Sequence, residues 1–328
     1  MPNEIKFKKI LITGGAGFIG SNLTEAFLRQ DNQIIVLDNF STGHHKNIQS
    51  FLSHSNFQLI EGDIRNEVTC QEACKGVDYI FHQAALGSVP RSINDPLSTA
   101  EVNELGFLKL LIAARDAKVK RFIYAASSST YGDSLILPKV EDKIGKPLSP
   151  YAITKYTNEL YANNFSSLYN IETIGLRYFN VFGRRQDPEG SYAAVIPRFC
   201  MQLMKHEQPT INGDGSHSRD FTYIDNVIQM NQLAALTNNP LAVNQVYNTA
   251  CGNRINLNEM ISVMKQELGK FDSEVLNIKP IYGPNRTGDI LHSHADITKA
   301  KELLGYNPSH TFSEGVKEAV EWYFNNLR

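Results

Sequence analysis

The sequence has few cysteines, a single tryptophan and no long apolar segment. Its four cysteines are sparse in 328 residues. Cys70 and Cys74 could share a helix face, but no second pair or nearby histidine completes a metal site, so we expect reduced structural thiols and no bound metal. No apolar run approaches eighteen residues and the first residues are polar. We therefore expect neither a membrane-spanning helix nor a signal sequence, and we predict a cytoplasmic protein.

An excess of one charge is also lacking. The chain has 32 basic and 34 acidic residues, for a net charge of −2, and no basic run interleaved with aromatic residues. A nucleic-acid partner is therefore not expected. There is no internal repeat and no low-complexity segment, which argues against a solenoid or a disordered tail. The 42% hydrophobic content is sufficient for a large buried core.

What the chain does have is a glycine-rich turn directly after its first apolar segment. Lys9–Thr13 is short and β-branched, as in a buried parallel strand. Gly14, Gly17 and Gly20 follow, and a helical pattern runs from about 18 to 30. A strand, a glycine turn and a helix N-terminus together form a cradle for phosphate groups. The spacing Gly-x-x-Gly-x-x-Gly differs from the other common dinucleotide fingerprint, Gly-x-Gly-x-x-Gly.

The second strand indicates which dinucleotide binds. Gln33–Asp38 ends in a carboxylate eighteen residues beyond Gly20. An acid at this place can bind both hydroxyls of an adenosine ribose, whereas it would repel a 2′-phosphate. No arginine directly follows Asp38 to offset that repulsion. The sequence therefore predicts NAD as the cofactor.

Strands and helices alternate through the first half of the chain. Further strand patterns cover 57–63, 77–85, 121–127 and 171–177, with helical patterns at about 96–117 and 150–169. This alternation predicts an α/β fold with a Rossmann-type, doubly wound parallel sheet. Ligands of such sheets bind beyond the carboxyl ends of the strands, where the residues Asp63, Ala84, Ala85, Ser127 and Asn180 fall.

The pattern loosens after residue 180, where loops are rich in Gly, Asn, Pro and Asp. We therefore predict an NAD-binding domain at 1–180 and a smaller α/β substrate domain at 181–328. Some segments of the second part are expected to return to the first domain. The second domain should close over the substrate.

Tyr151 and Lys155 stand four residues apart in the helical pattern, a spacing that places both side chains on one face. The Lys155 ammonium is then expected to favour the ionised form of the Tyr151 phenol, whose ordinary pKa of about 10 is too high for a base at neutral pH. The pair is a candidate for proton transfer. A tyrosine-rich amphipathic helix would also explain an isolated pair, but the glycine turn upstream favours catalysis.

Together these features resemble the extended short-chain dehydrogenase/reductase family, and within it the nucleotide-sugar epimerases. The resemblance covers nearly the whole chain, from about 8 to 323. Five segments are similar to UDP-N-acetylhexosamine 4-epimerases in particular: Ala126–Gly132, Leu148–Lys155, Arg177–Arg185, Tyr192–Pro197 and Ile211–Gly215.

The resemblance implies roles for individual residues. Ser127 matches the catalytic Ser/Thr, Tyr151 the base, and Lys155 the lysine that also binds the nicotinamide ribose. The remaining cofactor-binding residues it implies are Gly14, Gly17, Phe18, Ile19, Gly20, Asp38, Asn39, Ser41, Thr42, Gly43, Asp63, Ile64, Ala84, Ala85, Asn103, Tyr178 and Val181.

The same resemblance implies a substrate site. Asn180 would hold the sugar's diphosphate, and Arg219 and Arg286 would pair with it, because guanidinium groups match phosphate oxygens. Its residues are Gly87, Ser88, Ser128, Ser129, Asn180, Gln186, Ala194, Val195, Asn212, Arg219, Arg286, Asp289 and Ser293. Alternatives stay open, because Asp63 and Asn180 also fit as turn residues, and Arg219 beside Asp220 also fits a surface ion pair.

The resemblance implies 4-epimerisation of a UDP-sugar through a 4-keto intermediate, with the hydride held and returned by NAD. In the family, a bulky residue at the position of Ser293 narrows the sugar pocket, so serine there favours an N-acetylated sugar. The plain hexose and uronic acid forms stay open. Alternatives are a 4,6-dehydratase or decarboxylase, although Ser128 and Ser129 replace the extra acids that these need, and a non-catalytic NAD sensor. The family also implies a homodimer through a four-helix bundle.

Overall fold

A computed structural model describes residues 4–189, 193–284 and 292–327. Its central feature is one parallel seven-stranded sheet, in the order β11-β6-β5-β4-β1-β2-β3. The predicted Rossmann-type doubly wound fold is confirmed. Within the described ranges, no helix is both long and apolar enough to span a bilayer.

The strands of the large sheet come mainly from the first half of the chain. They are β1 Lys9–Thr13, β2 Gln33–Asp38, β3 Phe57–Glu61, β4 Tyr79–His82, β5 Arg121–Ser127, β6 Glu172–Tyr178 and, much later, β11 Gln245–Thr249. Three two-stranded pairs, β7 with β10, β8 with β13 and β9 with β12, come from the second half: β7 Val181–Phe182, β8 Thr210–Asn212, β9 Ser218–Arg219, β10 Thr222–Tyr223, β12 Ile255–Asn256 and β13 Ile281–Gly283.

Eleven α-helices lie in the described ranges. They are α1 Phe18–Leu28, α2 Glu67–Ala73, α3 Val89–Asn94, α4 Pro96–Ala100, α5 Phe107–Asp116, α6 Pro150–Tyr169, α7 Val195–Met204, α8 Ile224–Leu236, α9 Leu257–Leu268, α10 Thr298–Leu304 and α11 Phe312–Asn326. The helical pattern predicted at about 96–117 is confirmed, because α4, a π-helical segment Glu101–Gly106 and α5 follow one another without a break.

The sheet separates two hydrophobic cores. Ile10, Ile12 and Phe81 belong to one core, whereas the alternate residues Leu11 and Ile80 belong to the other. This alternation follows from the period of two along a strand, and it buries both faces of the sheet under helices. The core on the Ile10 side also continues into the second half of the chain, so the two halves share packed surface.

The strand order reverses between β1 and β4: β2 and β3 follow on one side of β1, and the later strands follow on the side of β4. In doubly wound folds this switch point opens a crevice at the carboxyl edge. The Gly14 turn, the segment after β4 and the Ser127 end of β5 all lie along this edge. Since β11 pairs with β6, residues 245–249 return to the large sheet. The domain boundary at 180 stays a prediction.

Candidate active site

Ser127 ends β5, and its side chain is turned into a local hydrogen-bond network. Its hydroxyl oxygen accepts from the backbone N–H of Ser129 at 3.1 Å and from the Ser129 hydroxyl at 2.8 Å. Ser127 is buried, and Ser128 begins a short 3₁₀ turn directly after it. Because the Ser127 oxygen already accepts two hydrogen bonds, its own proton is the group left for donation.

Tyr151 and Lys155 lie one turn apart on α6, close to Ser127. The N-terminus of α6 is capped, because the Ser149 hydroxyl accepts from the Ala152 N–H at 3.1 Å and Pro150 occupies the first turn. The Lys155 Nζ is 5.9 Å from the centroid of the Tyr151 ring and donates to the Ala125 carbonyl at 2.9 Å. Lys155 is thereby held at the end of β5 as well as beside the phenol.

Burial governs the proton affinities of this pair. It lowers the pKa of the Lys155 ammonium to about 8 and raises the pKa of the Tyr151 phenol. A hydrogen bond from Ser127 acts in the opposite direction on Tyr151 and lowers its pKa. Burial therefore outweighs the Ser127 hydrogen bond, and the expected effect of Lys155 on the Tyr151 pKa stays a prediction.

Asn103 lies in the π-helical segment, and its side chain is hydrogen-bonded to residues on both sides of the site. Its amide oxygen accepts from the Leu86 N–H at 2.8 Å, and its Nδ2 donates to the Thr154 hydroxyl at 3.2 Å. Thr154 in turn donates to the Tyr151 carbonyl at 2.8 Å. This chain connects the segment after β4 to the first turns of α6, where the candidate base is located.

The glycine turn has the form that a dinucleotide diphosphate requires. Gly14 has φ +69°, and a Cβ there would lie 2.7 Å from the Ala84 nitrogen. A Cβ on Gly20 would lie 2.1 Å from the Gly14 carbonyl oxygen, so only glycine allows this close approach. No described side chain caps the N-terminus of α1 at Gly17, which leaves the N–H groups of Phe18 and Ile19 directed toward the cradle.

Asp38 closes the turn from the side of β2. Its carboxylate accepts from the N–H of Ala16 and of Phe40, each at 2.8 Å. Burial raises the pKa of Asp38, and these two hydrogen bonds oppose the increase. Gly43 packs so closely that a Cβ would lie 3.0 Å from the Asp38 carboxylate. The lone pairs that remain on Asp38 suit ribose hydroxyls.

Asp63 follows β3 and is paired at the same edge. The Arg65 guanidinium donates to it at 2.8 Å and the Asn39 amide at 2.9 Å. Chiefly through Arg65, the pKa of Asp63 falls to about 2. Ile64 beside it is buried. Ser41 and Thr42 are exposed on the loop that returns toward Asp38.

Tyr178, at the end of β6, binds side chains of the sheet edge. Its hydroxyl donates to Gln83 at 3.2 Å and accepts from Asn231 at 2.9 Å, and burial raises its pKa to about 12. Among the described residues, the buried Nε2 of Gln83 finds no acceptor. An unsatisfied buried amide next to Ala84 and Ala85 is consistent with a ligand at this place. Val181 lies just beyond, paired with Thr222.

A cavity of about 180 Å³ lies beside the sheet edge, in the second half of the chain. Four of the predicted substrate residues line it: Asn180, Val195, Asn212 and Arg219. Sequence reasoning missed seven others in its wall: Arg198, Phe199, Thr210, Ile211, His217, Phe221 and Leu257. Arg198 stands one turn after Val195 on α7, and that spacing was the available signal.

The other predicted substrate residues occupy varied positions. Ala194 directly precedes α7, Ser88 caps α3 by accepting from the Arg91 N–H at 3.2 Å, and Gly87 has open space around its Cα. Gln186 donates to the Val181 carbonyl at 3.0 Å, and Ser293 donates its N–H to the Ser218 carbonyl at 3.0 Å. Two more, Arg286 and Asp289, lie outside the described residues.

Asp220 has a different environment from the one its sequence position suggested. It is fully buried, so a surface ion pair with Arg219 is wrong. The Asp220 carbonyl instead accepts from the Asn180 amide at 2.9 Å. This bond holds Asn180, which has φ 37°, at the wall of the cavity.

A dinucleotide cradle on a Rossmann-type sheet, with Ser127, Tyr151 and Lys155 at its carboxyl edge, defines an enzyme of the short-chain dehydrogenase/reductase class. The chain belongs to the NAD dependent epimerase/dehydratase family, whose model matches residues 10–250. Its cofactor is NAD, in agreement with the Asp38 argument. The glycine turn, the uncapped α1 and the unsatisfied Gln83 amide fit that group.

Three comparisons extend this result. The chain is 35% identical over 320 residues to a putative UDP-glucose 4-epimerase of Methanocaldococcus jannaschii, covering 97% of this chain and 99% of that protein. A UDP-N-acetylglucosamine 4-epimerase of Methanobrevibacter ruminantium, solved with UDP-N-acetylmuramic acid, is 37% identical with a TM-score of 0.91, covering 98% and 99% of the two chains. A UDP-glucose 4-epimerase of Thermotoga maritima, solved with UDP-glucose, is 35% identical with a TM-score of 0.89, covering 98% and 100%.

Proposed function

We propose that this enzyme interconverts UDP-N-acetylglucosamine and UDP-N-acetylgalactosamine by inverting carbon 4 of the sugar. The observation that carries the proposal is the placement of Ser127, Tyr151 and Lys155 at the carboxyl end of β5, next to the end of β6, after which Asn180 follows. A base at the same sheet edge as a candidate diphosphate ligand suits a reaction on the sugar of a nucleotide-sugar. The similar 4-epimerases of known structure support the same reaction type.

Tyr151 would act as the general base. Its phenolate oxygen takes the proton of the sugar's 4-hydroxyl, and the C4 hydrogen leaves as hydride to give a 4-keto sugar. Ser127 donates to the phenol oxygen and would stabilise the phenolate, and the Lys155 ammonium, 5.9 Å from the centroid of the ring, would add to this stabilisation. In the second half-reaction Tyr151 returns the proton to the carbonyl oxygen. When bound, NAD supplies the site that accepts and returns the hydride.

Inversion requires that the 4-keto sugar present its other face before the hydride returns. Tight binding of the nucleotide and diphosphate, with few contacts to the sugar, allows this rotation. Asn180 and Arg219 would hold the diphosphate while Ser88, Ser129 and Gln186 bound the sugar loosely. Arg286, the second predicted cation, would bind the diphosphate together with Asn180 and Arg219.

A 4,6-dehydratase or decarboxylase is the nearest alternative. Such reactions need an extra acid or base beside the sugar, and the two positions after Ser127 are serines. The Ser129 hydroxyl donates to Ser127 at 2.8 Å, which supports the proton transfer at carbon 4. A hydroxyl is a poor acid for elimination. We therefore favour epimerisation over loss of water or carbon dioxide.

The N-acetylated substrate is supported by the resemblance, which implies that a bulky residue at the position of Ser293 would narrow the sugar pocket, whereas serine is small. UDP-glucose is the ligand of the Thermotoga maritima enzyme, so the plain hexose pair is the second candidate. Both pairs share the same nucleotide and the same chemistry at carbon 4. They differ only in the acetamido group at carbon 2.

The experiment is incubation of the purified protein with UDP-N-acetylglucosamine and no added cofactor, with the products resolved by chromatography. We expect UDP-N-acetylgalactosamine to accumulate to an equilibrium mixture without stoichiometric NADH. Build-up of NADH, or of a 4-keto-6-deoxy sugar, would contradict the epimerase. A parallel incubation with UDP-glucose ranks the two sugar classes by kcat/KM.

A further inference from the structure

Asp220 stands between two residues that line the nucleotide cavity, Arg219 and Phe221, yet its own side chain points away into the protein. A fully buried carboxylate is costly unless it is hydrogen-bonded. Burial raises the pKa of Asp220 to about 7, and backbone N–H groups oppose that increase. The structure therefore retains this acid at a desolvation cost, directly behind the cavity wall.

Three backbone N–H groups from two distant segments bind the carboxylate. Cys251 donates to Oδ1 at 3.0 Å, and Gly252 donates to Oδ2 at 3.1 Å. Ala295 donates to Oδ2 at 3.3 Å. The first two residues follow β11, the last strand of the large sheet, and the third lies two positions after Ser293. Asp220 thus connects the sheet edge to the segment that carries Ser293.

The backbone of the same residue holds a predicted diphosphate ligand. The Asp220 carbonyl accepts from the Asn180 Nδ2 at 2.9 Å, and the Thr222 N–H donates to the Asn180 carbonyl at 3.3 Å. Asn180 has a positive φ of 37°, which is uncommon for a residue with a side chain. Its orientation therefore depends on the position of the segment from Asp220 to Thr222.

The cavity wall on the other side of Asp220 depends on the same segment. Ser218–Arg219 pairs antiparallel with Ile255–Asn256, and Leu257 after that strand lines the cavity. The Ser218 carbonyl accepts both the Ser293 N–H and Arg219 Nη1 at 3.0 Å. A shift of Asp220 would therefore move Arg219 and Asn180 relative to each other.

We propose that Asp220 is a positioning residue for nucleotide binding, whose carboxylate fixes the chain segment from which Arg219 and Asn180 reach the diphosphate. This rests on the proposed function in that the cavity takes a nucleoside diphosphate. Replacing Asp220 by Asn puts an NH₂ group in the place of one carboxylate oxygen, where it faces either the Cys251 N–H or the N–H groups of Gly252 and Ala295. At least one of them loses its acceptor, and the segment relaxes.

The test compares Asp220→Asn with Glu141→Gln in the NAD-containing enzyme. Glu141 is a second buried carboxylate that accepts a backbone N–H, from Asn248 at 2.9 Å, and Glu141 is not in the wall of the cavity. Calorimetric titration with UDP gives the dissociation constant, and bound NAD and Tm are measured on the same samples. Kinetics on UDP-N-acetylglucosamine separate KM from kcat.

We expect Asp220→Asn to weaken UDP binding by roughly tenfold or more and to raise KM similarly, because Arg219 and Asn180 then lose their fixed positions and must be ordered when UDP binds. kcat and NAD content should stay within about threefold of wild type. Both variants should lower Tm, because each loses a buried hydrogen-bond acceptor. Glu141→Gln should nevertheless leave UDP affinity within about twofold, because Glu141 contributes to stability and not to the cavity wall.

Wild-type UDP affinity in Asp220→Asn would overturn the proposal, as would equal loss of UDP affinity in both variants, which indicates general damage. A kcat that falls while KM is unchanged would also overturn it. Wild-type enzyme that binds UDP but interconverts no UDP-sugar contradicts the proposed activity alone. In that case the UDP titrations still decide the role of Asp220.

Discussion

Tyr151 is a residue on which burial and hydrogen bonding act in opposite directions. Burial raises the pKa of its phenol, whereas the Ser127 hydroxyl lowers it. The ammonium of Lys155 is held 5.9 Å from the ring centroid by its bond to Ala125. A half-buried phenol with fixed polar neighbours suits reversible proton transfer, because the same groups act in both half-reactions.

Replacing Tyr151 by Phe removes the proton acceptor and leaves the ring in place. Loss of a general base costs about 100- to 10,000-fold in rate, so kcat on UDP-N-acetylglucosamine should fall by that range, with NAD content unchanged. Tyr156→Phe, on the same helix but off the Lys155 face, is the matched control and should keep wild-type turnover. Activity of Tyr151→Phe within about threefold of wild type would place the base elsewhere.

Ser293 tests the choice of sugar. Tyr in its place adds a ring where the acetamido group is expected, and overpacking a closed site costs about 1–3 kcal/mol. kcat/KM for the N-acetylated pair should then fall by roughly ten- to a hundredfold, while the UDP-glucose pair holds or improves. Ser293→Ala removes the hydroxyl without adding volume and should alter neither. Equal loss on both sugar pairs after Ser293→Tyr would indicate general damage instead.

At the scale of secondary structure, patterns with strong local signals were predictable. The bounds of β1, β2, β5 and α6 agree with the sequence prediction, because the strands are short continuous apolar runs and α6 begins at the Ser149 cap and Pro150. β11 was missed, since Gln245–Thr249 is short and carries polar residues that only its place beside β6 explains.

The π-helical segment could not be read from the sequence. Glu101–Gly106 has an ordinary helical composition, and the wider turn is coupled to contacts that Asn103 makes with Leu86 and Thr154. The same limit applies to the cavity. His217 and Leu257 reach one wall from separate segments, which no local spacing reveals.

The glycine turn is the element whose geometry permits the sharpest prediction. A Cβ on Gly20 would lie 2.1 Å from the Gly14 carbonyl, so Gly20→Ala must displace the turn. With a cost of about 1–3 kcal/mol, we expect roughly five- to a hundredfold weaker NAD binding. Gly283→Ala, whose nearest added contact is an ordinary 3.5 Å, is the control. Full NAD content in purified Gly20→Ala would show that the turn tolerates the change.

For the whole molecule, one group of exposed apolar residues lies on neighbouring helices. Ile153, Leu160, Tyr161 and Leu168 recur along one side of α6, and Ile93 and Leu97 are exposed on the helices packed beside it. Core packing does not account for them, because they face outward. Large exposed apolar patches mark association surfaces.

We propose that this face pairs with a second copy across a two-fold axis, so that α6 and the helix over about 103–117 of each chain form a four-helix bundle. Leu160→Glu would then bury one carboxylate from each protomer at the axis, and the dimer should dissociate. Sedimentation at micromolar concentration is expected to give twice 36.8 kDa for wild type and 36.8 kDa for the variant. Leu241→Glu is the control, because Leu241 is 70% exposed away from α6 and should leave the dimer intact. A wild-type monomer would refute the bundle, and dissociation by both variants would place the contact elsewhere.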